Sequence, residues 1–74
     1  MMRYIKVTLS TNYVDVDSTT EKIFGVADGV TDDVIHRYCN GLAFPGYSFS
    51  IEELGNKTLK EIEEEHGEVS GIIR

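Results

Sequence analysis

RYIKVTLS, residues 3–10, sets Tyr4, Lys6, Thr8 and Ser10 against Ile5, Val7 and Leu9. Period two with β-branched residues marks a half-buried strand, because successive side chains point to opposite faces. The spacing predicts a strand whose apolar face is Ile5, Val7 and Leu9. A second β-favouring run, STTEKIFGV at residues 18–26, sets Glu21, Ile23 and Gly25 against Lys22, Phe24 and Val26, so both of its faces carry apolar weight. The segment between the two runs is polar and only moderately long, which makes antiparallel pairing the simplest connection. The chain is thus expected to open on a β-hairpin.

The crossing of that hairpin, STNYVDVDST at residues 10–19, places its turn near Ser10–Asn12 or near Asp17–Thr19. Thr11-Asn12 makes the better turn and leaves YVDVD in a strand pattern. Tyr13, Asp15 and Asp17 then share one exposed face. Carboxylates at i and i+2 also raise the question of a cation. A calcium loop counted from Asp15 needs Gly at its sixth position and Glu at its twelfth, where this chain has Thr20 and Val26. The loop reading fails, and weak divalent-cation binding at Asp15 and Asp17 stays only as an alternative.

Downstream, ADGVTDDVIHRYCNGLAF changes the period. Asp28-Gly29 reads as a turn, Thr31 as an N-cap, and Asp32 and Asp33 as acids facing the positive end of a helix. Val34, Ile35, Tyr38, Cys39, Leu42 and Ala43 then recur at helical spacing, predicting an amphipathic helix over 32–43, although Asn40-Gly41 could already cap it. After Pro45-Gly46, Tyr47, Phe49 and Ile51 alternate with Ser48, Ser50 and Glu52, a third strand suited to an edge. Thr58-x-x-Glu61 is a capping-box pattern and Gly67 a stop, so a short helix held by Leu59 and Ile62 is expected. The tail VSGIIR either adds to the sheet or frays. No repeat or long linker divides residues 1–74, which are read as one domain. The expected fold is α+β: a small antiparallel β-hairpin or sheet, one amphipathic helix packed on it, and a short acidic C-terminal helix.

A chain of 74 residues buries only about 60% of its unfolded surface, so its core is modest. No apolar run reaches the ~20 residues that span a bilayer, and the N-terminus has no signal-peptide pattern. Its single cysteine, Cys39, excludes an internal disulfide framework and suits a reducing compartment; together these features point to the cytoplasm. The net charge is −6, and between Glu52 and Glu68 seven acids stand against Lys57 and Lys60. Such a balance disfavours direct nucleic-acid binding. It serves solubility, or else meets a basic protein surface.

Chemical motifs are sparse. His36 and Cys39 lie three apart, but a catalytic pair or metal site needs further groups. Cys39 sits among apolar positions as a small core residue, and His66 suits the negative end of a helix. No phosphate loop, activated serine or cofactor motif is present, and an enzyme is not expected. Exposed tyrosines make good contact anchors. The residues singled out for a protein interface are therefore Tyr13, Asp15, Asp17, Tyr47, Glu61, Glu64 and Glu65.

RYIKVTLSTNYVDVDSTTEKIF, followed by DGVTDDVIHRYCNGLAF, resembles a family of small acidic proteins of bacteriophages and prophages. Those begin on a YIKVTLST-x-YV strand, pass an acidic segment and a second strand, and enter a helix through a T-D-E-E-I type start. Tyr4 to Thr11, Tyr13-Val14 and Thr31-Asp32-Asp33-Val34 match, and the likeness covers about the first 45 residues. That family is uncharacterised and transfers no catalytic or binding residue. It implies an accessory role in the host cytoplasm, by contact with a host or phage protein that has a basic surface. Self-association through an edge at Tyr47, Phe49 and Ile51, giving a homodimer, is the competing expectation.

Overall fold

The computed structural model describes residues 2–11, 19–44 and 46–74. Its elements are β1 (Met2–Thr11), β2 (Thr19–Val26), α1 (Asp32–Ala43), β3 (Tyr47–Lys57), α2 (Leu59–His66) and β4 (Val69–Ile73). The strands form one sheet in the order β3-β1-β2-β4. β1 pairs antiparallel with β2, from Arg3↔Val26 to Ser10↔Thr19, and antiparallel with β3, from Met2↔Lys57 to Thr11↔Tyr47. β4 lies parallel to β2, with Val26 opposite Ile73. The sheet is therefore mixed: the expected antiparallel hairpin is present, and the parallel strand comes from the tail, which the sequence left either adding to the sheet or fraying. The fold class is α+β.

Of the two turn positions expected, near Ser10–Asn12 and near Asp17–Thr19, residues 12, 17 and 18 lie outside the described residues, and the register fixes only the flanks. Ser10 pairs with both Thr19 and Ser48, and Thr11 pairs with Tyr47, so both are strand residues of β1. Thr19 opens β2. Tyr13, Asp15 and Asp17 lie outside the described residues.

Strand alternation sorts the apolar side chains onto two faces. Ile5, Val7, Leu9, Phe24, Val26 and Ile73 face α1 and bury against Ile35, Cys39 and Ala43. Each of the Val, Leu, Ile and Phe side chains contributes about 1.5–3 kcal/mol by leaving water. Met2, Tyr4 and Ile23 point the other way and meet Ile62 of α2, with Leu54 and Val69 beside them. The two helices thus lie on opposite faces of the sheet. Tyr4, which the sequence set among polar neighbours, is buried beneath α2.

Both helices begin where the sequence placed them. Thr31 Oγ1 accepts from the Val34 N–H at 3.4 Å. Thr58 Oγ1 accepts from the Glu61 N–H at 3.2 Å, while Glu61 Oε1 accepts from the Thr58 N–H at 3.2 Å, a reciprocal capping box. α1 runs through Asn40-Gly41 to Ala43 instead of stopping there. In α2 only Ile62 is buried; Leu59, expected to share that work, is 51% exposed. A β-bulge in β3 makes Leu54 an extra residue between Glu53, opposite Ile5, and Gly55, opposite Tyr4. Gly55 takes φ 86 there, a left-handed conformation that costs glycine little. The bulge turns Leu54 toward Ile62.

Candidate functional site

The acidic run is less free than its composition suggests. Lys6 Nζ lies 3.1 Å from Glu52 Oε2 and 3.7 Å from Glu21 Oε2, a charged row across three strands. The hydrogen bond to Glu52, followed by the charge of Glu21, raises the Lys6 pKa. Glu53 faces Arg3 at 3.6 Å, and Glu61 is occupied by the capping box. Lys57 Nζ donates to Glu65 Oε2 at 2.8 Å, tying the end of β3 to α2. That hydrogen bond holds the Glu65 carboxyl below its ordinary value and the Lys57 ammonium above its own. His66 Nε2 adds a contact to Glu65 at 3.6 Å.

Three acids remain. The side chains of Glu63, Glu64 and Glu68 make no ion pair or hydrogen bond among the described residues. Glu63 and Glu64 line a shallow depression of about 500 Å³ on the outer side of α2, together with Lys60 and the exposed Leu59. Of the residues singled out from sequence, Glu64 belongs to this free surface, whereas Glu61 and Glu65 are held by Thr58 and Lys57. Leu59 and Glu63 are the residues that sequence reading missed. Leu59 was missed because two apolar positions do not fix which side of a short helix turns inward.

Tyr47 lies elsewhere. It opens β3 at the end opposite Lys57, about 30 Å away at the rise of a β-strand. The structure therefore separates it from the α2 acids. Its neighbour Phe44, at the close of α1, is 82% exposed. Phe44, Tyr47 and Phe49 line a cleft of about 570 Å³ with Asn40, Ala43, Gly46 and Ser48. Phe49 meets His36 edge-on at a ring separation of 6.0 Å. Among the described residues the lining of this cleft is aromatic and carries no acidic or basic side chain.

A third feature is Arg3. Its Nε and Nη2 are shielded from solvent and make no hydrogen bond among the described residues, although the side chain as a whole is 35% exposed. It borders a cleft of about 260 Å³ with Asp28, Val30 and Asn56. Cys39 is wholly buried, and burial pushes its thiol pKa up, the opposite of what a nucleophile needs. Among the described residues no group of three or more His, Cys, Asp or Glu could hold a metal ion. No helix among them is long and apolar enough to cross a membrane. Comparison of the chain with protein families, curated proteins and solved structures returns no match.

Proposed function

We propose that the chain is a small protein-binding module that engages a basic protein surface through the outer side of α2. The observation that carries this reading is the pairing of two unpartnered carboxylates, Glu63 and Glu64, with the exposed Leu59 in one depression. Lys60 also borders the depression, but the two carboxylates outweigh it, and an apolar anchor with a net negative rim suits a partner of complementary potential, since rim charges steer association and an anchor holds it. The phage-type resemblance of the first 45 residues, about three-fifths of the chain, favours an accessory role of this kind over catalysis.

The test is capture of partners from bacterial lysate on immobilised protein at low and high salt, quantified by mass spectrometry. Glu63→Gln/Glu64→Gln is expected to lose the salt-sensitive partners that wild type retains. Glu65→Gln is expected to keep them, because Glu65 is engaged internally. The absence of any salt-sensitive partner, or equal retention by the Glu63→Gln/Glu64→Gln variant, overturns the reading.

A further inference from the structure

The two edges of the sheet are not alike. β4 is five residues long, the kind of short edge that discourages pairing. β3 has eleven residues and, among the described residues, pairs on one side only, against β1. Its second half carries Glu52 and Glu53, which guard it. Its first half, Tyr47-Ser48-Phe49-Ser50-Ile51, carries no charge and no proline. Beside it stand the exposed Phe44 and the aromatic cleft.

We propose that the first half of the β3 edge is a self-association surface, where two copies of the chain pair antiparallel across a twofold axis at Phe49. That axis sets Tyr47 opposite the partner's Ile51, Phe49 opposite the partner's Phe49, and Ser48 opposite the partner's Ser50. All apolar pairs fall on the α1 face and all serine pairs on the other. Glu52 meets the partner's Gly46. Moving the axis one residue to Ser50 sets Tyr47 against the partner's Glu53 and Ser48 against the partner's Glu52. Moving it to Glu52 opposes like charges directly. A chain of net charge −6 repels its own copy on balance, so a strip without charge is favoured for self-contact, and this strip is both free of charged side chains and self-complementary about its centre. A foreign strand would need no such symmetry, so a second copy is the occupant the pattern fits. Phe44 and the cleft over Tyr47 and Phe49 extend the contact on the α1 face. The surface is separate from the α2 depression, and its test is independent of the one above.

Sedimentation velocity across a concentration series reads the monomer–dimer equilibrium. A short edge contact lies at the weak end of the interface range, so the transition is expected on the order of tens to hundreds of micromolar. Ser48 and Ser50 are exposed, and substitutions there leave the core untouched. Ser48→Lys/Ser50→Lys opposes lysine to lysine twice and is expected to weaken the dimer roughly tenfold, even though it lowers the net negative charge. Ser48→Lys/Ser50→Glu opposes lysine to glutamate twice and is expected to match or exceed wild type. Wild type that stays monomeric throughout overturns the proposal. So does a Lys/Lys variant that dimerises like wild type, or a Lys/Glu variant as weak as Lys/Lys. Circular dichroism confirms that each variant is folded.

Discussion

At the scale of the residue, burial decides which side chains matter. Ile62 is the one α2 side chain in the core, with no exposed surface, while Leu59 three positions earlier is half in water. Ile62→Ala is expected to cost about 2–5 kcal/mol, the range for a buried large-to-small change. Leu59→Ala should fall within about 0.5 kcal/mol of wild type. Urea titration followed by circular dichroism separates the two, and equal losses would mean that α2 is docked differently. Arg3 presents the reverse case. Two of its nitrogens are shielded without a hydrogen bond among the described residues, and its ion pair with Glu53 is long at 3.6 Å and partly solvated. Removing such donors gives back a desolvation penalty of about 1–3 kcal/mol that the weak pair offsets poorly. Arg3→Met is therefore expected to be at least as stable as wild type in the same titration; a loss above about 1 kcal/mol would show that Arg3 has a stronger partner.

At the scale of the element, the helices were the most legible part of the sequence. Thr31 and Thr58 are local signals: the cap, the acids behind it and the apolar spacing all lie within one short stretch. Thr58→Ala removes half of the capping box and is expected to cost about 1 kcal/mol, seen as a lower thermal midpoint. The pairing of β4 with β2 was not legible, because a parallel neighbour is chosen by the whole topology and not by VSGII itself. The candidate site was legible only in part for the same reason. Lys57 meets Glu65 eight residues away, and Lys6 meets Glu52 through strand register, so sequence could count the acids but not say which were spoken for. The Lys57–Glu65 bond has its own pH signature. The folded Glu65 carboxyl lies below its ordinary 4.5, so its contribution is complete above that value and disappears as pH falls through the lowered one. The folded Lys57 ammonium lies above its ordinary 10.5, so on the alkaline side the contribution disappears as pH rises through the raised one. Glu65→Gln is expected to melt slightly lower than wild type at neutral pH, and the gap should close in acid. A gap that persists unchanged at the lowest pH would contradict this account of the pair.

At the scale of the whole molecule, β1 organises the sheet by lying at its centre, with β2 on one side and β3 on the other. Its alternation divides the structure into an α1 side and an α2 side. α2 reaches only the Tyr4–Ile23 end of its face, and the rest of that face is a polar sheet of Lys6, Thr8, Ser10, Glu21, Ser48, Ser50 and Glu52. β4 is the small element that touches both apolar layers: Ile73 completes the layer under α1, while Val69 packs with Tyr4, Ile23 and Ile62 under α2. Two cores separated by a sheet would ordinarily be free to open one at a time. Here one five-residue strand contributes a side chain to each, so an opening of either helix that frees β4 exposes the other layer as well. Amides of α1 and α2 are accordingly expected to exchange with deuterium at a common free energy, as one cooperative unit. Ile73→Ala, although it contacts only the α1 layer, should speed exchange in α2 to the same degree.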